Sequence, residues 1–191
     1  MKNRNVIFKI LLPPLLCILC LSYINDSDFY PLEFGLIIAI FNYNHFNFKP
    51  YVGVIVSVLV SYVVYLLAAL SFVGMWYLNQ SMISYNTMNE GLIAKVITII
   101  SVCFIAPLLL FYLYGFIFKI SKSKNSKWVI IISIVTLIFL QINDFNKEAN
   151  FSSIKEYDYF NLSVYWQFVM ALAIQLNIYQ NNFFKKKLYS S

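Results

Sequence analysis

Residues 51–78 read YVGVIVSVLVSYVVYLLAALSFVGMWYL, a run of 28 residues without a charged side chain. As an α-helix this run would be about 42 Å long at ~1.5 Å per residue, which exceeds the roughly 30 Å hydrocarbon core of a bilayer. The run therefore predicts a transmembrane helix that tilts or protrudes.

The composition of the whole chain agrees with this run. The 191 residues are 61% hydrophobic, 19% aromatic and only 12% charged, whereas soluble domains are roughly 45–50% apolar and about 25% charged. A soluble fold of this size could not cover so much apolar surface. We therefore expect one transmembrane helical domain over residues 1–191, of the all-α class.

Six apolar runs predict six transmembrane helices. They are expected at 6–24, 32–48, 51–78, 92–120, 128–143 and 162–180. The first run follows Lys2 and Arg4, as the apolar part of a signal peptide would. No small-x-small cleavage pattern follows it, so a retained helix is expected, with a kink or break at Pro13 and Pro14.

The segment 32–48 is at the lower limit of length for a membrane crossing. Because basic groups of short loops gather in the cytoplasm, an even number of crossings must precede Lys119. Either both of the first two segments cross, which gives six helices, or neither does, which gives four helices after an N-terminal membrane-surface hairpin. Both termini are cytoplasmic in either version, and we expect six because 6–24 is apolar enough to insert.

Charge is strongly sorted along the chain in the six-helix version. Eleven of the fourteen basic side chains fall on the cytoplasmic side and all eight acidic ones, with Glu33 among them, on the outer side. This positive-inside pattern predicts a multi-pass protein of the bacterial inner membrane. Seven lysines form what we call the basic rim: Lys119, Lys122, Lys124, Lys127, Lys185, Lys186 and Lys187. They could retain loops in the cytoplasm, attract anionic lipid headgroups, or receive an acidic cytoplasmic protein.

Catalytic and metal-binding patterns are not found in the sequence. His45 is the one histidine, and the motifs H-E-x-x-H, G-x-S-x-G and G-x-x-x-x-G-K do not occur. We expect no enzyme activity, no cofactor, no metal and no direct nucleic-acid binding. The Asp26 and Asp28 pair resembles the D-x-D of metal-dependent glycosyl transfer, but a solvated turn is the preferred interpretation. The predicted spans place no carboxylate inside the bilayer, which disfavours ion-coupled transport. The same argument does not disfavour a passive pore.

Two helix faces carry residues at helical spacing. Gly53, Ser57 and Ser61 recur at intervals of four, the spacing at which transmembrane helices approach closely, so they predict a helix-packing or oligomer face. A polar intramembrane face is expected on the last span at Ser163, Gln167, Gln175 and Asn177. Amides that face lipid cost free energy, so this face should meet other helices, a second subunit or a water-filled lumen.

In size, compactness and charge layout the chain resembles the membrane subunits of bacterial phage-defence systems, of the Kiwa type. No sequence motif carries this resemblance. It implies a non-enzymatic inner-membrane subunit that forms a homo-oligomer in contact with membrane lipids and couples an outer-face or membrane event to a cytoplasmic partner. Two alternatives share the same features: a transport or channel subunit with a polar lumen, and an immunity protein against a pore-forming toxin.

Overall fold

The computed structural model describes residues 2–23, 27–82, 90–120, 124–148 and 157–184. Regular structure in these ranges is helical, apart from one isolated β-bridge between Phe46 and Phe118. The helices are α1 Lys2–Leu21, α2 Tyr30–Phe41, α3 Pro50–Met82, α4 Glu90–Thr98, α5 Ala106–Ile117, α6 Lys124–Glu148 and α7 Tyr157–Phe184. Short 3₁₀ turns occur at Ser27–Phe29 and Tyr43–His45, and a π-helix, Ile99–Ile105, joins α4 to α5. The predicted all-α class is confirmed.

Three segments within the described ranges are long and apolar enough to cross a membrane: Pro50–Leu78, Lys95–Ile117 and Asn125–Asn143. They overlap the runs predicted at 51–78, 92–120 and 128–143. Their outer faces carry large uncovered apolar side chains, such as Leu70 at 65% and Phe139 at 70% exposure. Continuous apolar surface of this kind is typical of a helical membrane protein.

Pro107 accounts for the π-helix between α4 and α5. Proline has no backbone N–H, so the Cys103 carbonyl loses its usual donor four residues later. The Ala106 N–H instead donates to the Ser101 carbonyl, five residues back, which is the π-helical pattern. The chain therefore stays helical through the proline, and α4, the π-helix and α5 form one long rod.

Helix α7 is enclosed by its neighbours. It packs along α1 and α6 and contacts α2. The Trp166 indole N–H also donates to the Val102 carbonyl of the π-helix at 3.0 Å. Every side chain from 163 to 179 is buried or half-buried, and α7 supplies core residues such as Met170 and Ile174. Helices α1, α3 and α6 carry most of the exposed apolar side chains.

Helices α1 and α2 form a hairpin that is shorter than the helices around it. Helix α2 has 12 residues, which is about 18 Å at ~1.5 Å per residue. The turn before it is fixed against α3, because the Tyr62 hydroxyl donates to the Asp28 carbonyl at 3.0 Å. From Tyr62, α3 continues through Leu78 for about another 24 Å. The turn of the α1–α2 hairpin is therefore level with the middle of α3.

The first two predicted segments differ from the observed helices. Helix α1 ends at Leu21 and is helical through Pro13 and Pro14, so the predicted break does not occur. Helix α2 ends at Phe41 rather than residue 48, because the Asn42 side-chain N–H binds the Ile38 carbonyl at 2.8 Å and caps the helix. Neither apolar segment is among the three that are long enough to cross a membrane. The segment predicted at 162–180 lies within the longer α7, which is likewise not among those three segments.

Helices α2 and α3 approach each other closely at Gly35. A Cβ at this position would lie 2.7 Å from the Val58 Cα and 3.1 Å from the Ser57 carbonyl oxygen. These are backbone atoms, which cannot rotate away as a side chain would. The Ser57 hydroxyl donates to the Gly35 carbonyl at 3.1 Å across the same contact. The absence of a side chain at Gly35 therefore sets the distance between the two helices.

We expect Gly35→Ala to lower the free energy of unfolding by about 1–3 kcal/mol, because the added methyl group forces the helices apart. Gly74→Ala on α3 is the matched control, since a Cβ there meets nothing within 4 Å. The control should leave stability unchanged or raise it by up to about 1 kcal/mol through helix propensity. Denaturant unfolding in detergent, followed by circular dichroism, measures both; equal effects of the two substitutions would contradict the close approach.

Candidate functional site

Several helix ends meet at one end of the bundle, which we call the rim end. The Lys9 ammonium of α1 lies 5.9 Å from the centre of the Tyr179 ring of α7, within the range of a cation–π contact. The His45 ring meets the same tyrosine edge-on, with 4.9 Å between ring centres. The backbone N–H of Lys119, just after α5, donates to the His45 carbonyl at 2.8 Å. Tyr179 and His45 thus bring together cationic residues from different elements.

A clamp between the segments after α2 and after α5 holds the rim end. Phe46 and Phe118 pair through the β-bridge, and their rings stack at 4.9 Å. The Asn47 backbone N–H donates to the Ile117 carbonyl at 2.8 Å, and its side chain donates to the Phe116 carbonyl at 2.9 Å. The position of His45 and Lys119 is therefore fixed by backbone hydrogen bonds rather than by flexible side chains.

The basic rim predicted from the sequence falls only partly within the described residues. Lys119 and Lys127 have exposed side chains. The side chains of the other five rim residues lie outside the described part: Lys122, Lys124, Lys185, Lys186 and Lys187. Sequence analysis left Lys9 and Lys49 out of the rim, although both are exposed at the same end. The sequence signal for including Lys9 in the rim is Tyr179, an aromatic residue at the predicted cytoplasmic end of the last span that can pair with a lysine.

The surroundings of His45 oppose its protonation. Burial lowers the pKa of His45 below its ordinary value of 6.5, and the positive charges of Lys9 and Lys119 lower it further. The imidazole is therefore neutral at neutral pH, and the positive charge of the rim end comes from its lysines.

The ridge of small residues on α3 is covered by other parts of the same chain. Its members are Gly53, Ser57 and Ser61. A Cβ at Gly53 would overlap the Phe46 ring. Ser57 binds the Gly35 carbonyl of α2, and the Ser61 hydroxyl pairs with the Tyr114 hydroxyl of α5 at 2.9 Å. The ridge is thus a packing face for α2 and α5, and it leaves no free surface there for a second copy.

The polar face predicted on α7 points towards other helices of the same chain. Its buried members are Gln167, Gln175 and Asn177, and Ser163 is half-buried. The Gln167 side-chain nitrogen donates to the Tyr30 carbonyl of α2 at 3.4 Å. Gln175 is 0% exposed, and neither of its amide atoms has a hydrogen-bond partner among the described residues. Buried amides left in this way are costly, so each is a candidate for a functional role.

Glu33, which the charge pattern assigns to the outer side of the membrane, is buried inside the bundle. Its side chain is only 8% exposed, and neither carboxylate oxygen has a hydrogen-bond partner in the described part of the chain. The α2 helix dipole favours an ionised carboxylate in its first turn by about 0.3–1 kcal/mol. Burial of an unpaired carboxylate costs several kcal/mol. The second effect is larger, so the neutral, protonated form of Glu33 is favoured.

The cysteines and the Asp26 and Asp28 pair are the remaining candidate ligands. No group of three or more His, Cys, Asp or Glu in the described ranges could hold a metal ion. Cys17 and Cys103 are free and buried, and Cys20 is free and half-buried. Asp28 is exposed in its turn, and Asp26 lies outside the described residues. Comparisons with protein-family models, curated proteins and solved structures returned no match.

We expect the imidazole of His45 to titrate with a midpoint below 6.5, because burial and two lysines disfavour its charged form. His45 is the only histidine, so its proton resonance can be followed by NMR in detergent without assignment. Lys119→Gln and Lys9→Gln should each raise the midpoint, since each removes a positive charge. The matched control, Lys127→Gln, should change it less. An unchanged midpoint in the Lys119 and Lys9 variants would contradict the geometry of the rim end.

Proposed function

We propose that the protein is a non-enzymatic, multi-pass inner-membrane subunit that receives an acidic cytoplasmic partner at its rim end. It would couple that partner to an event in the membrane or at the outer face. One observation carries this proposal: Lys9, Lys119 and their exposed neighbours converge around His45 and Tyr179. This cluster lies about the length of α2 away from the exposed carboxyl group of Asp28.

The orientation follows from the same charge separation. Lysines that gather at one end of a membrane bundle favour the cytoplasmic side. With the rim end inside, both termini are cytoplasmic, whether the α1–α2 hairpin crosses or not. Exposed lysines attract an acidic surface over about 8–10 Å at physiological ionic strength. The backbone clamp supports this role because it presents Lys119 from a fixed position, which lowers the entropy lost on binding.

Self-association is part of the proposal. Since α2 and α5 cover the ridge of Gly53, Ser57 and Ser61, an oligomer would have to form through the exposed apolar faces of α1, α3, α5 or α6. The resemblance in size and charge layout to membrane subunits of phage-defence systems suggests a setting for such a complex. In that setting the membrane subunit would detect a disturbance of the bilayer and report it to the soluble partner.

A transport or channel subunit is the second candidate function. It is favoured by the buried, unpartnered polar atoms of Glu33, Gln167 and Gln175 within the bundle. Interior polar groups of this kind occur in membrane proteins that move ions or solutes. Loss of solute passage in a Gln167→Leu, Gln175→Leu double variant would support this second function over the first.

We expect single cysteines at Lys49 and Asn125 to react with a membrane-impermeant thiol reagent only from the cytoplasmic side, and a cysteine at Asn86 only from the outer side. Cys17, Cys20 and Cys103 are replaced by Ser or Ala in the background used. Intact spheroplasts and inverted vesicles give the two sides. Labelling of the Lys49 position from outside would contradict the orientation.

We expect a photo-crosslinking amino acid at Lys127 to capture an acidic soluble protein in cells, and the same amino acid at Asp28 to capture none. Lys119→Glu with Lys9→Glu should reduce the yield, by about fivefold for each ~1 kcal/mol of repulsion introduced. Lys119→Arg with Lys9→Arg is the matched control, because it keeps the charge, and should retain the adduct.

Phage challenge provides the biological readout for these variants. Phage should form fewer plaques on cells that express the chain with its native genomic neighbours. Cells with the charge-reversed variant should lose this protection, although the variant accumulates normally in the membrane. An unchanged adduct yield after charge reversal would rule out docking at the rim end.

A further inference from the structure

The turn of the α1–α2 hairpin lies at a depth where the surrounding helices are still within their apolar segments. Asp28 accepts a hydrogen bond from Tyr62, and Tyr62 is near the centre of the membrane-length segment Pro50–Leu78. Irregular backbone at that depth is tolerated only where protein or a water-filled cavity surrounds it. Tyr23 and Asp28 are exposed at this turn. A carboxyl group in contact with lipid is costly, so water at the turn is the arrangement that the exposed Asp28 favours.

Glu33 is little more than one helical turn beyond Asp28, on the buried side of the hairpin. Its carboxylate is 8% exposed without a partner among the described residues. The thiols of Cys17 and Cys20 on α1 lie within electrostatic range of it. Gln167 of α7, whose side-chain oxygen is also buried and unpartnered, is anchored to the Tyr30 carbonyl, three residues before Glu33.

No described cation is positioned to neutralise Glu33. On α1, Lys9 is eight residues from Cys17, about 12 Å along the helix, and it lies over Tyr179 at the rim end. Helix α3 faces α2 with the hydroxyls of Ser57 and Ser61, and its Tyr62 hydroxyl is bound to the turn. Helix α7 faces α2 with Trp166 and Gln167. Asp28 is the other acidic group nearby, and the Tyr114 hydroxyl of α5 pairs with the Ser57 and Ser61 hydroxyls.

We propose that Glu33 is a proton-binding site inside the bilayer, held at the buried tip of a re-entrant α1–α2 hairpin and loaded from the water that reaches the turn at Asp28. The ligand is a proton, because Glu33 is the one carboxylate of the buried site and no group of three or more His, Cys, Asp or Glu in the described ranges could hold a metal ion. The site goes beyond the proposed docking function and does not depend on it, since it involves no residue of the rim end.

Dicyclohexylcarbodiimide tests the site directly, because this lipophilic reagent adds to protonated carboxyl groups in apolar surroundings and leaves a stable N-acylurea. Purified protein in lipid vesicles is treated across a series of pH values, and mass spectrometry locates the adduct. We expect an adduct at Glu33 that decreases as the pH rises, and none at exposed Asp28. Glu33→Gln should lose the adduct, and Asp28→Asn should keep it.

Thermal stability gives a second, independent measurement. The buried site favours the protonated form of the Glu33 carboxyl. The stability that this form contributes is complete at low pH, and it is lost as the pH rises and Glu33 ionises in the folded protein. The melting temperature of the wild type should therefore fall with rising pH relative to Glu33→Gln, whereas Asp28→Asn should follow the wild type. An unmodified Glu33 at every pH in folded protein, or parallel melting curves for the wild type and Glu33→Gln, would overturn the proposal.

Discussion

The contact between α2 and α3 at Gly35 determines where the other parts of the bundle lie. Because the two backbones nearly touch there, α2 is held against the first half of α3 and cannot slide along it without a clash. The level of the hairpin turn, the burial of Glu33 and the position of His45 after Asn42 all follow from this placement. The hydroxyls of Ser57, Ser61 and Tyr114 then join α2, α3 and α5 across the same region.

The composition of α7 is explained by the helices that enclose it. A helix with two glutamines and an asparagine in its middle would be costly in contact with lipid, where no water can satisfy the amides. Surrounded by α1, α2, α6 and the π-helix, it meets protein on every side. The apolar side chains that lipid requires are supplied instead by α1, α3 and α6. The bundle is therefore apolar outside and partly polar inside, the reverse of a soluble protein.

Sequence patterns predicted the long helices well, because an uncharged run such as 51–78 has few alternatives to a membrane helix. They also placed the α7 amides on a protected face. They could not predict that α2 stops at Asn42, since the cap depends on one side-chain hydrogen bond, or that Gly35 is the close approach, since one glycine in an apolar run carries no signal. The burial of Glu33 was not predicted for a related reason: it begins the span expected at 32–48, next to two aspartates, and its enclosure depends on how α2 packs.

Helix α2 connects the two candidate sites. It is a rod of 12 residues, too short to bend appreciably, with Glu33 in its first turn and the rim residue His45 just after its end. A buried carboxylate that ionises must gain water or a counter-charge, and the nearest source of water is the turn that precedes the helix. The segment that carries His45 begins where α2 ends, and the His45 carbonyl accepts a hydrogen bond from the Lys119 N–H. Glu33 and the rim end thus share one short, rigid helix, and coupling between them would require α2 to have two discrete positions that both sites bias.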